Sequence, residues 1–216
     1  MEIKVNASEL SKKLEQAVKV IATKNVMPIL ADAMFDVRQG VILLTTSDSE
    51  IWLSIKCPVV SCENETRFCV NAHDLLELVR NLGDKDVVIT LDEQSSQITC
   101  DYGNGNFTMP YDNADEFPLS CAGNEGMTSI VVDGKRITKA IGLTSFAVGN
   151  SVTKPIMNGI HFDFSERMMV ASATNTHKVA IYKDNGIACE GSCFFTMPKK
   201  PLSVLCSILD STEGDV

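Results

Sequence analysis

The sequence contains no run of about 18 uninterrupted apolar residues, so no conventional membrane-spanning helix can be read from it. Its opening, Met1-Glu2-Ile3-Lys4, lacks the basic-then-apolar build of a secretory signal, and a cytoplasmic location is expected. No Gly-rich phosphate loop, paired-glycine dinucleotide fingerprint or nucleophile turn occurs. No cofactor is therefore expected. Bases are outnumbered by acids, 19 Lys and Arg against 28 Asp and Glu, for a net charge of -9. That balance argues against a chain gripping nucleic acid over its whole surface.

What is present suits an ordinary globular chain: 216 residues, 44% of them hydrophobic, enough for one large core or two modest ones. Eight cysteines without a secretory signal read as reduced thiols, most of them small buried hydrophobes. Cys57 with Cys62, and Cys189 with Cys193, have the look of paired ligands, and His73, His161 and His177 are available. Neither pair has zinc-knuckle spacing, and no metal is expected. A hydrolase using Cys193 or Cys206 with His177 is the enzyme alternative, though no oxyanion glycine pattern accompanies it.

The chain repeats itself. Sliding it so that Ile3 falls on Ile130 also pairs Val5 with Val132, Leu10 with Ile137, Pro28 with Pro155, Phe35 with Phe162, Phe68 with Phe195, Leu75 with Leu202 and Leu82 with Leu209, without a gap. Apolar residues recurring at matched positions indicate two copies of one fold. A shorter repeat lies inside: Val5-Asn6-Ala7-Ser8-Glu9-Leu10 matches Val70-Asn71-Ala72-His73-Asp74-Leu75, with further copies opening at Val132 and Met197. Each copy reads as a strand end, a helix-starting residue (Asn6, Asn71, Asp133, or Pro198 with Pro201) and then helical spacing.

The pattern predicts a helix over 8–22, strands over 31–38, 41–46 and 51–56, a strand over 66–70, a helix over 72–82, and strands over 87–91, 97–100 and 107–109. The unit is strand, helix, three strands, and the class is α+β. Domain I is placed at 1–120, a linker at 121–127 and domain II at 128–216. The turn-rich stretch from Tyr111 to Met127 separates the two copies. Because Val216 aligns with Ile89, the second copy is expected to be truncated before its last strands and the chain to be a fragment.

Bases concentrate on the equivalent helices. Lys12, Lys13, Lys19 and Lys24 attend the first, Lys199 and Lys200 open the fourth, and the stretch from Gly134 to Phe162 carries Lys135, Arg136, Lys139 and Lys154 with no acid. On one helix alone such lysines are solvated-face residues. Their recurrence on three of four helices favours a phosphate-facing role. The second helix departs from this, with Asp74 and Glu77 against Arg80.

Five segments in this order, Val26-Met27-Pro28-Ile29-Leu30, Thr46-Ser47-Asp48-Ser49-Glu50, Glu116-Phe117-Pro118, Ala173-Thr174-Asn175-Thr176-His177-Lys178-Val179-Ala180 and Met197-Pro198-Lys199-Lys200, resemble the bacterial β sliding clamp family, the β subunit of the replicative DNA polymerase. The resemblance implies a DNA-clamp fold with helices lining one face and antiparallel sheets on the other. It also implies a non-catalytic processivity factor of three domains, the third absent here, whose homodimer encircles double-stranded DNA without regard to sequence. Polymerase, clamp loader and repair proteins would bind it through short linear peptides.

The lysine pattern marks Lys12, Lys19, Lys135, Lys139, Lys199 and Lys200 as DNA-facing, and the resemblance, carried over residue by residue, adds Lys24, Asn150, Ser151 and Lys154. Lys24 stands in for an arginine, and Pro155 and Ile156 replace an aromatic pair. Met157, Thr174, Thr176, His177, Lys178 and Val179 would form one wall of a partner-peptide pocket, with Thr176 in place of a glycine and Lys178 of an arginine. Phe107 and Met109 would lie at a subunit interface. The plainer readings are a hydrogen-bonded His177, core positions for Phe107 and Met109, and a clamp-fold scaffold that forms no ring.

Overall fold

The computed structural model describes residues 1–25, 27–120, 130–165, 167–186 and 192–209. Two compact units divide the chain, Met1–Cys121 and Ala122–Val216, and each is taken by itself. No described helix is long and apolar enough to cross a membrane.

In the first unit, β1 (Glu2–Asn6) runs into α1 (Ala7–Ala17), followed by β2 (Asp32–Arg38), β3 (Val41–Ser47), β4 (Trp52–Pro58) and the short β5 (Ser61–Cys62). The second half repeats the theme with β6 (Thr66–Asn71), α2 (Ala72–Arg80), β7 (Asp86–Asp92), β8 (Gln97–Asp101) and β9 (Asn106–Pro110). The strands form two antiparallel sheets, ordered β5-β1-β7-β8-β9 and β4-β3-β2-β6. Both helices begin where an asparagine side chain caps them: Asn6 Oδ1 accepts from Glu9 N and Asn71 Oδ1 from Asp74 N, each at 3.1 Å. The helices pack on each other and on the sheets. Alternate strand residues (Ile3, Val5, Phe35, Val37, Ile42, Leu44, Val87, Ile89) meet Leu10, Leu14, Leu75 and Val79 in one core. Phe35 and Phe68 stack at its centre with ring centroids 5.0 Å apart. Each such large side chain contributes about 1.5–3 kcal/mol by leaving water.

The second unit comprises α3 (Gly134–Thr144), β10 (Gly159–Ser165), β11 (Met168–Thr174), β12 (Val179–Asp184), β13 (Cys193–Pro198) and α4 (Lys199–Leu209). Its sheet runs β12-β11-β10-β13, the order that β4-β3-β2-β6 takes in the first unit. Asp133 caps α3 by accepting from Lys135 N at 2.8 Å, and Pro201 falls in the first turn of α4, where its missing N–H has no intrahelical partner to lose. The α+β architecture and the internal repeat are thus visible in the sheets themselves.

Several local expectations need correction. The first helix ends at Ala17, not at residue 22; Val20 N and Ile21 N instead bond Ala17 O and Val18 O, a tightened turn suited to the β-branched run Val18, Val20, Ile21. The second stops at Arg80 rather than residue 82. Residues 111–120, read as loose connection, pack on the first unit instead: Phe117 is buried, Tyr111 sits edge-on to Phe68, and Trp52 Nε1 donates to Pro118 O at 2.9 Å.

Ile130–Val132, the third copy of the strand start, belongs to no strand, because β1 is held by pairing to β5 and β7 and no described residue pairs with its counterpart. Likewise Phe195 is 40% exposed where its equivalent Phe68 is 1% exposed. An apolar hollow of about 470 Å³ opens there, walled by Ile130, Val132, Ile137, Phe162, Phe195 and Leu205. In the first unit β7 and β8 close the corresponding core with Val87, Ile89, Ile98 and Cys100.

Candidate functional site

Helix amphipathicity decides where the lysines go. On α1 the positions Leu10, Leu14 and Ala17 face the core, which leaves Lys12 outward; its Nζ lies 2.9 Å from Glu9 Oε1. Lys19 falls in the tightened turn after the helix, and Lys24 is exposed beyond it. On α3 the buried Ala140, Ile141 and Thr144 turn Lys135 and Lys139 to solvent on one face, a helical turn apart. Lys139 Nζ sits 5.9 Å from the centroid of the Tyr182 ring. Lys199 and Lys200 are exposed at the start of α4. Arg136 is different in kind: its Nη1 donates to Asp184 Oδ1 at 2.6 Å, which commits it to the second unit's own sheet.

Asn150, Ser151 and Lys154 occupy the loop before β10. Asn158 folds this loop by accepting from Ser151 N at 2.6 Å and donating to Ser151 O at 2.9 Å, while Lys154 N donates to Ser151 Oγ at 3.1 Å. The Lys154 side chain is left exposed. A hollow of about 380 Å³ lies beneath, lined by Asn150, Ser151, Lys154, Met157, Asn175 and Thr176.

Met157 also lines a second hollow of about 380 Å³ with Ile156, His161, Thr174, Val179 and Ile181. Its apolar floor is the outward face of β11 and β12, where Val179 and Ile181 are 68% and 60% exposed. One end is the tight β11–β12 turn. There Asn175 Oδ1 accepts from His177 N and Lys178 N at 3.1 and 2.9 Å, and Thr174 Oγ1 donates to Lys178 O at 2.8 Å. Thr176 has φ +75°, the left-handed region that a β-branched residue rarely occupies. The side chains of Thr176, His177, Lys178 and Val179 are all exposed around the turn.

Phe107 and Met109 share one face of β9, the edge strand of the first unit's five-stranded sheet. Met109 is in the core, and Phe107 packs beside it with its ring 6.4 Å from that of Tyr102. What β9 offers outward is its backbone edge with Thr108.

Of the chemistry-bearing alternatives, the pairing of His177 with Cys193 loses its geometry. His177 lies on the β11–β12 turn while Cys193 opens β13, at the opposite edge of the sheet, so the strands β11 and β10 separate them. The buried Cys57, Cys69 and Cys100 are free thiols pushed up by desolvation to about 11, 12 and 12, and are protonated and inert at neutral pH. Cys189 lies outside the described residues. Among those described, no group of three or more His, Cys, Asp or Glu is placed to hold a metal.

Comparison with known proteins follows the two units. The profile of the DNA polymerase III beta subunit N-terminal domain matches residues 1–121, and that of its central domain matches residues 131–216. The chain is 24% identical over 223 residues to a beta sliding clamp of Staphylococcus aureus strain Mu50, with all of this chain and 59% of that protein covered. A beta sliding clamp of Staphylococcus epidermidis is 23% identical over the same coverage. Among solved structures, a putative DNA polymerase III beta subunit of Eubacterium rectale superposes with a TM-score of 0.91 at 21% identity, over 100% of this chain and 59% of that one. The Pseudomonas aeruginosa sliding clamp solved bound to griselimycin gives 0.89 at 21% identity, over 100% and 58%. The chain thus spans about three-fifths of the length of the curated relatives it matches.

Proposed function

Since the chain belongs to the DNA polymerase III beta subunit family, we propose that the protein it represents is a sliding clamp: a cytoplasmic, non-catalytic ring that encircles duplex DNA and tethers the replicative polymerase. The observation that carries this reading is the repetition of one capped, lysine-bearing helix and its sheet along the chain. Lys12 on α1 and Lys139 on α3 hold equivalent outward positions, and Lys199 and Lys200 open α4.

Physical considerations support the role. A ring must hold DNA without gripping it, so its contacts should be few per helix, flexible and directed to phosphate rather than bases. Lysine on an exposed helix face meets that need better than a forked, bidentate arginine. The acidic balance of the whole chain would repel DNA from the remaining surface.

Partners would enter by the hollow on the outward face of β11 and β12. Apolar Met157, Val179 and Ile181 would receive aliphatic or aromatic peptide side chains, and the polar turn Thr176–Lys178 would fix the peptide's direction. The Lys154 loop beside it would touch DNA. Subunits of a homodimer would meet along the β9 edge. The test is to load the whole protein on nicked circular DNA with its clamp loader and measure polymerase processivity. A clamp lengthens the products; a ring-less scaffold of the same fold leaves them unchanged.

A further inference from the structure

The internal repeat shows what the hollow on the outward face of β11 and β12 is shaped to hold. In the first unit the same face of β4-β3-β2-β6 is crossed by a strap, residues 112–118. Asp112 and Cys69 exchange backbone hydrogen bonds of 2.9 and 2.8 Å, an antiparallel bridge that fastens the strap to the edge strand β6. Ala114 and Phe117 are then buried against Ile29, Met34 and Cys69, and Trp52 Nε1 donates to Pro118 O. The second unit has this frame in the same register: Met34 lies opposite Thr45 and Cys69, and His161 opposite Ser172 and Thr196. Ile156 sits in the turn that Pro155 opens, as Ile29 sits in that of Pro28. Here the frame is an open hollow, and Ile156 is 69% exposed against 8% for Ile29.

We propose that the hollow binds a partner peptide in the pose of the strap, extended along the β13 edge, and that His161 and Thr196 select a tyrosine in the place of Phe117. The inference rests on the hollow being a peptide site and adds the pose and the side chain it takes. Its basis is what changes between the two units. Ile156 keeps the apolar wall of Ile29, but Met34 gives way to His161 and Cys69 to Thr196, and His161 Nδ1 lies 3.1 Å from Thr196 Oγ1. Nε2 of His161 has no hydrogen-bond partner among the described residues. Arg67, which donates to Asp115 of the strap, gives way to Phe194, 75% exposed with its ring 6.0 Å from that of His161. An incoming side chain therefore meets aliphatic and aromatic walls and one polar pair, the surroundings that suit an apolar ring with a polar tip. A phenol hydroxyl both donates and accepts, so it satisfies either tautomer of His161. A carboxylate only accepts, and it would leave water for a hollow lined by no lysine or arginine.

The strap itself supplies the probe: a labelled peptide of residues 112–119, Asp-Asn-Ala-Asp-Glu-Phe-Pro-Leu, and the same peptide with tyrosine in place of phenylalanine. Titrated against the whole protein by fluorescence anisotropy, the tyrosine form should bind about 2- to 10-fold more tightly, the difference that one net hydrogen bond makes. His161→Met restores the side chain of the first unit. It should bring the two peptides level, with the phenylalanine form bound no more weakly than by the wild type, which a merely damaged fold would not do. Thr196→Val serves as the second variant should the first not fold, and should act alike. Equal binding of the two peptides by the wild type, or a tyrosine preference that survives in either variant, would overturn the proposal and leave the hollow a peptide site. Binding of neither peptide would overturn the proposal and that reading of the hollow together.

Discussion

Arg136 Nη1 and Asp184 Oδ1 lie 2.6 Å apart, joining the first turn of α3 to the last residue of β12. The same carboxylate accepts from Gly186 N at 2.9 Å and from the Tyr182 hydroxyl at 3.4 Å, so one aspartate ties a helix, a strand end and the following turn together. Asp184 is largely buried while Arg136 is half-exposed. Removing the carboxylate leaves a cation and two donors unpaired, and Asp184→Ala should destabilise the second unit by about 1–3 kcal/mol. Urea unfolding of the variant checks this, read as a shift of midpoint at unchanged slope.

The same pairing separates Arg136 from the lysines in their expected effect on DNA. In the proposed clamp, removing one cation that neutralises a phosphate lowers the slope of log affinity against log salt by about 0.9. Lys139→Ala should do so. Lys12→Ala should do less, since Glu9 already lies 2.9 Å from the Lys12 ammonium, and Arg136→Ala should leave the slope unchanged. Anisotropy titrations of the whole protein on labelled duplex over a range of salt give all three values.

Thr176 turns the β11–β12 hairpin at φ +75°. A left-handed conformation costs a residue with a Cβ about 1–2 kcal/mol, and glycine avoids this while losing about 0.5–1 kcal/mol more in chain entropy on folding. Thr176→Gly should therefore stabilise the second unit, by up to about 1 kcal/mol. Thermal melts measure it. Peptide affinity of the whole protein should change as well, because the threonine side chain is exposed at the rim of the proposed pocket.

A pH dependence follows from Asp32, whose carboxyl is raised from 3.8 to about 7 by burial and then by Asp112. The folded state holds this proton after the unfolded chain has released it, so the stabilising contribution is complete below the unfolded value and is lost as pH rises toward neutrality. Asp32→Asn removes the loss. The variant should gain melting temperature relative to wild type at pH 8 and gain little at pH 4. An equal gain at both would mean that packing, rather than titration, governs the site.

Much of the fold was legible because the repeat registers the same side chains against the same partners. Phe35 with Phe68 and Phe162 with Phe195 are ring neighbours in both units, and Asn6, Asn71 and Asp133 cap helices as their type and position imply. What escaped were features that depend on neighbours distant in sequence. Tyr111–Pro118 carries turn residues, yet it is fastened by Cys69, Trp52 and Arg67, none of which its own composition announces. Ile130–Val132 has a strand's pattern and, among the described residues, no strand to pair with. At the candidate site, helical spacing does place Lys12, Lys135 and Lys139 outward. It does not reveal that Arg136 is taken by Asp184, whereas the burial of Met109 in the first core was one of the two readings its sequence position offered.

The clamp reading is tested most directly by retention on DNA of different topology. The whole protein, loaded by its clamp loader on a closed circular plasmid and passed over a sizing column in moderate salt, should elute with the DNA; after the plasmid is cut once, it should slide off the ends and elute free. Topological linkage predicts that difference, because phosphate contacts of this strength do not hold at such salt. Equal retention on circle and linear form, or none on either, would contradict it.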